Sequence, residues 1–305
     1  MDPMSNKYHT SVLLQACIDN LQIKPSGTYV DLTFGGGGHS REILGKLDER
    51  GKLFAFDQDE DAQRNLISDK RFTLVPENFR FLKKYLRVYG VTRVDGILGD
   101  LGVSSHQFDE AERGFSIRFD ASLDMRMNRR SAVSAREIVN GYEEKALLKI
   151  FREYGEVANA GKLVNAIAAA RAEKALVTTG DLKEAIKSCV PKFESHKYLA
   201  KVFQALRIEV NQEMEALKDC LSQCVEVLDK GARLAVISYH SLEDRLVKNV
   251  IRTGDPDGRQ ETDVIFGTTK RIMKVVTQKP ILPSEDEIAS NTRARSAKLR
   301  VGEKI

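Results

Sequence analysis

Two rhythms of apolar residues divide this chain. Through the first hundred positions, short apolar runs rich in β-branched and aromatic residues alternate with longer stretches whose apolar side chains recur every three or four residues. The runs predict strands at Thr28–Phe34, Lys52–Asp57, Phe72–Val75 and Val94–Asp100, and the intervening stretches predict helices near 10–21, 39–49, 59–68 and 78–89. Alternation of this kind specifies a parallel sheet covered by helices.

After Ser105 the alternation stops. A polar, arginine-rich segment from Gln107 to Ser134 leads into helical patterns near 135–154 and 156–174. Thr178, with Asp181 three residues on, is a capping signature for a further helix that must end before Pro191. Leu199, Val202, Phe203, Leu206, Val210, Met214, Leu217 and Leu221 then hold one 3.6-residue repeat, which predicts a single long helix. A buried-strand pattern returns at Ala232–Tyr239 after the turn Asp229-Lys230-Gly231, and the β-prone runs Arg271–Val276 and Ala297–Val301 suit a closing antiparallel pair. The expected architecture is an α/β domain built from residues 1–108 and 212–305 and interrupted by an all-helical insert at 109–211.

Composition narrows the function classes. With 305 residues, 42% of them hydrophobic, the chain can bury a large core. No apolar run approaches the roughly 20 residues a bilayer span requires, and the start MDPMSNKYHTS lacks the apolar centre of a signal peptide, so a cytoplasmic protein with no membrane partner is expected. Cys17, Cys189, Cys220 and Cys224 contain no Cys-x-x-Cys pair. Cys220 and Cys224 share a helical face, but no histidine lies near them in sequence, so they read as packing residues and no metal site is expected. The formal charge of +4 is unevenly spread: from Thr268 onward nine Lys/Arg face four acids, a net +5, and Arg118, Arg126, Arg129 and Arg130 form a second basic cluster. Charge of this kind suits a nucleic-acid partner without establishing one.

The candidate chemistry starts at VDLTFGGGGHS, residues 30–40, where four glycines join a predicted strand to a predicted helix. A Walker loop needs Gly-Lys-Ser/Thr, and Gly45-Lys46 is followed by Leu47. A dinucleotide fingerprint gains support from Asp57, twenty residues after Gly37, yet its third glycine is replaced by Ser40 or Arg41, according to the register. What remains is a turn that lets backbone approach a nucleoside, with Asp57 placed for ribose hydroxyls, Asp31 for a cationic group, and His39 facing the ends of the strands. Adenosine, a cation and no phosphate describe S-adenosylmethionine. Asp100, closing the fourth strand, is the acid best placed at the reactive end of such a ligand.

DLTFGGGGHS, DGILGDLGVSS, ERGFS, LDMRM, FQALRIEVN, ISYHSLEDR and RARSAKLR, in this order, with His9-Thr10-Ser11-Val12-Leu13-Leu14 ahead of them, resemble the ribosomal RNA small-subunit methyltransferase H (MraW) family over nearly the whole chain. The resemblance implies a class I, Rossmann-like methyltransferase with an inserted helical domain that helps recognise RNA. It implies transfer of the methyl of S-adenosylmethionine to the exocyclic N4 of a cytidine in the decoding region of 16S rRNA, with the small (30S) ribosomal subunit as partner. Carried over residue by residue, the cofactor contacts are Gly37, Gly38, His39, Asp57, Phe79, Asp100 and Gln107. Gly99, His106 and Lys201 depart from the family pattern, and lysine in place of arginine keeps the charge but not the bidentate fork.

A cytosine amino group is a poor nucleophile, so transfer requires in-line placement and a proton acceptor. Asp100 is the expected acceptor, and His240, after the fifth strand, is placed to relay a proton. Arg245 is read either as a phosphate contact or as the partner of Glu243 or Asp244. Where many amino-methyltransferases carry Asp/Asn-Pro-Pro-Tyr, this chain has Asp100-Leu101-Gly102-Val103, so the base needs another ring. Phe108 and Tyr239 are candidates, with core packing the preferred role for both. Methylation at cytosine C5 needs a cysteine, and none lies between Cys17 and Cys189. Two other readings stay open from sequence: a nicotinamide-dependent oxidoreductase, and a non-catalytic RNA-binding or assembly protein. A homodimer is compatible with the sequence and not decided by it.

Overall fold

The computed structural model describes residues 11–260 and 271–305. His9 and Thr10 of the family motif, and with Thr10 the first residue of the helix expected near 10–21, lie outside them. The chain forms two compact units, one containing the residues up to Gly102 together with Ala216–Ile305, the other Val103–Glu215. The sequence reading set these joins at 108 and 211. The first unit ends earlier than that reading because Val103 and Phe108 pack against the hydrophobic core of the second.

In the first unit seven strands make one sheet, β1 (Thr28–Asp31), β2 (Lys52–Phe56), β3 (Phe72–Val75), β4 (Val94–Asp100), β5 (Leu228–Ser238), β6 (Met273–Val275) and β7 (Lys298–Lys304), in the order β3-β2-β1-β4-β5-β7-β6. The first five are parallel, and β7 runs antiparallel between β5 and β6. This is the Rossmann-like arrangement, and its strand order reverses between β1 and β4, where ligands of open α/β sheets bind. Central strands buried on both faces read as continuous apolar runs, which is why Tyr29, Val30, Ile97, Leu98 and Leu234–Ile237 are almost wholly buried. The closing antiparallel pair is where the sequence placed it.

Three helices position the site. In chain order the first are α1 (Leu14–Leu21) and α2 (Gly38–Lys46), followed after β3 by α3 (Leu82–Val88). The helix expected near 59–68 is instead a short 3-10 segment, Glu60–Asn65, in which only Ala62 is buried, so there was no apolar face to extend it.

The second unit holds α4 (Ser105–Asp109), α5 (Ala135–Gly141), α6 (Glu144–Glu153), α7 (Ala160–Glu173), α8 (Thr179–Ala185) and α9 (Ser195–Asn211) around a core that includes Leu147, Phe151, Leu163, Ile167, Leu182, Val202 and Leu206. Thr178 and Asp181 form the expected capping box. The single long helix does not form. It breaks into α9 and α10 (Glu213–Val227) at Gln212, whose φ of 49° is left-handed. Asn211 is held there by the Met127 amide and the Met125 carbonyl, and Arg207 is paired with Glu213, so tertiary bonds override the periodicity. Cys220 and Cys224 lie buried side by side in α10, their sulfurs 3.8 Å apart.

The turn at Asp229-Lys230-Gly231 falls within β5 instead of before it: Val94 pairs with Leu228 but Gly96 with Arg233, so the extra residues bulge from the strand. Beyond β5, α11 (Ser241–Thr253) buries Leu242, Leu246, Val247, Val250 and Ile251, each such side chain contributing about 1.5–3 kcal/mol on leaving water. The last helix is α12 (Glu285–Ser290). No helix among the described residues is long and apolar enough to cross a membrane.

Candidate active site

The carboxyl ends of five parallel strands bring the candidate residues of the first unit to one edge. After β1 the chain turns through the glycines into α2. Gly37 caps that helix at a φ of 75°, and a side chain there would also meet the Phe34 ring at 2.9 Å. A Cβ on Gly38 would collide with the Ser11 hydroxyl. A Cβ on Gly35 or Gly36 would meet nothing within 4 Å, which leaves open space beside the turn. The turn is therefore both obligatory in conformation and open to an incoming group.

Asp57, directly after β2, fastens the turn: its carboxylate accepts from the Gly35 amide at 2.8 Å and from the Asp59 amide at 2.9 Å. Burial pushes Asp57 up to about 6, against the pull of these two backbone bonds. A carboxylate has roughly four acceptor sites, so ribose hydroxyls can still be accommodated. Phe79 follows β3 as the first residue of a 3-10 turn capped by Asn78, whose amide also donates to Gln58 in the loop after β2. Asn65 reaches back to the Gly35 carbonyl. The loops around the proposed adenosine end are thus tied to one another.

Asp31 behaves differently from its reading as a ligand acid. It is 1% exposed and accepts from the Ser40 hydroxyl and the Thr33 amide, so it secures the start of α2 instead of facing a cation.

Asp100 ends β4 beside the turn. Its amide donates to the Thr33 hydroxyl, and its carboxylate accepts from the Tyr239 phenol at 2.7 Å. On the other side the His39 imidazole stands 3.9 Å away through Nδ1, while Nε2 donates to the Val12 carbonyl. Burial raises Asp100 to about 6, offset in part by His39 and by the Tyr239 hydrogen bond. Burial and the neighbouring Asp100 push the Tyr239 phenol upward, which keeps it a donor. The site therefore holds a carboxyl group that exchanges a proton near neutral pH, oriented by a tyrosine and faced by a histidine.

His240 is committed elsewhere. It caps α11, its Nδ1 accepting from the Glu243 amide, while the Glu243 carboxylate accepts from the Tyr239 and His240 amides. Proton relay through Nδ1 would compete with this capping box. Arg245 is exposed and forms neither of the expected pairs, because Glu243 serves the cap and Asp244 binds Arg300 in a bidentate pair. Gln107 belongs to the second unit, where its side chain completes the capping box of α4 with Ser104. Phe108 packs in the core of that unit, as the packing role requires. Tyr239 packs beside the first core but spends its hydroxyl on Asp100. Sequence reasoning weighed this tyrosine only as a ring. The available signal was its position, closing the predicted strand Ala232–Tyr239 as Asp100 closes the predicted strand Val94–Asp100.

Known proteins resemble this chain along nearly its whole length. The chain is 55% identical over 297 residues to the ribosomal RNA small subunit methyltransferase H of Bacteroides thetaiotaomicron, covering 97% of each chain. Against the protein of the same name from Flavobacterium psychrophilum it is 56% identical over 292 residues, covering 96% of this chain and 100% of that one. Against that from Parabacteroides distasonis it is 51% identical over 306 residues, covering both in full. The model of the MraW methylase family matches residues 6–305, and the chain belongs to that family.

Proposed function

We propose that this chain transfers the methyl of S-adenosylmethionine to the exocyclic N4 of a cytidine in 16S rRNA, in the decoding region, with the assembled 30S subunit as substrate and the cytoplasm as its location. Membership of the methylase family and relatives named for small-subunit rRNA methylation support the reaction class. The oxidoreductase and non-catalytic readings find no such support. The observation in the structure that carries the proposal is Asp100, raised to about 6 and held by Tyr239 at the switch point of the sheet.

The residues fit the cofactor. Open space lies beside Gly35 and Gly36, Asp57 offers acceptor sites for ribose hydroxyls, and Phe79 stands at the next strand end for the adenine. In this reading Gly37, Gly38, His39, Asp57 and Phe79 hold the cofactor. When bound, S-adenosylmethionine supplies an electrophilic methyl group on a sulfonium. Asp100 accepts a hydrogen bond from the N4 amino group, which favours a tetrahedral nitrogen, and takes its proton as the new C–N bond forms and the methyl–sulfur bond breaks, its electron pair returning to a neutral thioether. Tyr239 fixes the carboxylate and His39 faces its second oxygen. His240 acts at one remove, holding α11 and thereby Tyr239 in place.

The test is direct. Unmethylated 30S subunits are incubated with methyl-labelled S-adenosylmethionine, the rRNA is digested, and labelled nucleosides are identified by mass spectrometry. Label on N4-methylcytidine is expected. Label on another nucleoside overturns the substrate assignment, and sedimentation of the same sample reads whether a homodimer forms.

A further inference from the structure

We infer that α3 and the hollow beside it form a second RNA-docking surface, for phosphate groups and an unstacked base, running from the start of α3 to the hollow at the end of the sheet opposite Asp100. The inference rests on the proposed rRNA substrate and assigns it an additional contact. A cavity of about 520 Å³ lies between α3, the start of β4 and the end of α10, lined by Lys83, Arg87, Arg93 and Lys304 with one acid, Glu226. Lys83 pairs with Glu226, and Arg93 donates to the carbonyls of Glu226 and Leu228, so these two cations frame the hollow. Arg87 is exposed and no ion pair among the described residues holds it. A strand rises about 3.3 Å per residue, so Val94, which opens β4 here, is about 20 Å from Asp100 at its other end.

The exposed side of α3 carries rings as well as charge. Lys84 lies over the rings of Phe81 and Tyr85, 5.7 and 5.3 Å from their centres, and Arg80 approaches Phe81 to 5.9 Å. Phe81, Val88 and Tyr89 are 43%, 70% and 45% exposed, three of the nine large apolar side chains exposed among the described residues, all within nine positions. The Tyr89 ring is braced on Phe54 at 5.4 Å, so it offers a fixed face. A solvated helix face needs the charges but not the rings. Cations interleaved with braced, exposed rings match the requirements of single-stranded RNA, whose phosphates seek Arg and Lys and whose bases stack on aromatics. A duplex or an acidic protein surface would use only the charge.

The experiment compares Lys84→Ala/Arg87→Ala with Lys248→Ala/Arg252→Ala, which removes two exposed cations from α11 instead. Filter binding to unmethylated 30S subunits across a salt series gives Kd and its salt dependence, and methyl transfer at saturating 30S gives kcat. The α3 variant should bind about tenfold more weakly, with a log–log salt slope shallower by about 1.5, as expected for two lost phosphate contacts. Its melting temperature, cofactor affinity and kcat should match the parent, and the α11 variant should bind within twofold of it. Tyr89→Ala should weaken binding severalfold without changing the salt slope. Wild-type affinity in the α3 variant, or equal weakening in the α11 variant, overturns the inference. Were the parent to bind 30S without methylating it, the proposed reaction would fail while the same binding comparison still decided this surface.

Discussion

Asp95 and Asp100 lie on one strand, five residues apart, and the fold treats them oppositely. Asp95, near the amino end of β4, is partly buried, but the Thr28 amide at 3.0 Å and the Lys24 ammonium at 2.9 Å more than offset that burial and hold its carboxyl below the usual range. Asp100, at the carboxyl end, receives no lysine or arginine among the described residues and is left near 6 by burial. The first acid stabilises the fold in its charged form. The second is costly in that form, and the cost is what suits it to the proposed role of proton acceptor near neutral pH. The amino end of the strand serves stability, and the carboxyl end carries the proposed chemistry.

The largest expected effect comes from Asp100→Asn, which preserves shape and the Tyr239 contact. Methyl transfer to 30S should fall by about 10²–10⁴-fold while cofactor binding persists. Because the folded carboxyl is raised, its ionised form opposes folding above the ordinary carboxylate range. The variant should therefore be more stable than the parent at pH 8, by about 2 kcal/mol, a gain that vanishes as pH falls through about 6 toward 4. Denaturant melts at the two pH values check this, and a destabilised variant at pH 8 would break the comparison.

Tyr239→Phe sharpens it. The phenol's hydrogen bond lowers the Asp100 value, so its loss should move the acid limb of the rate profile upward and reduce kcat about tenfold, leaving KM for the cofactor unchanged. A smaller effect is expected at the other end of the strand. Asp95→Asn should destabilise by about 1 kcal/mol at pH 7, less as pH falls and the parent acid protonates, with specific activity unaltered. Smallest of all, Gly99→Ala should change stability by no more than about 0.5 kcal/mol. The added methyl meets Leu32 at 3.3 Å, an approach that asks for a slight shift, while the strand backbone gains from losing a glycine. Thermal melts of the two variants rank them.

Much of this contrast was legible in the residues. β3 and β4 have the expected limits because each is a short β-prone run with marked ends, β3 between Arg71 and Pro76 and β4 between Arg93 and its closing Asp100. The glycine turn, Asp57 and Asp100 were readable because each belongs to a local pattern of strand end plus special residue. What escaped was tertiary. The 3.6-residue repeat runs straight through Gln212, and only the anchoring of Asn211 to residues more than eighty positions away reveals the break. Asp31 carries the same local signature as a ligand acid, and its burial against Ser40 depends on how α2 settles on β1. The Tyr239–Asp100 bond joins residues 139 positions apart, and the cap that engages His240 is a short-range pattern that the search for catalytic groups passed over. Part of the basic tail is engaged within the fold, which its charge count could not reveal: Arg300 binds Asp244, and Lys274 shares Glu303 with Arg233.

The most direct test of the account is the pH dependence of a single turnover of methyl transfer to unmethylated 30S subunits, measured at saturating cofactor between pH 5 and 8. If Asp100 must be ionised to take the cytidine proton, the rate should be level at the alkaline end and fall about tenfold per pH unit below an apparent value near 6. A rate that stays flat down to pH 5, with the protein folded and the cofactor bound, would contradict the assignment of Asp100 as the acceptor.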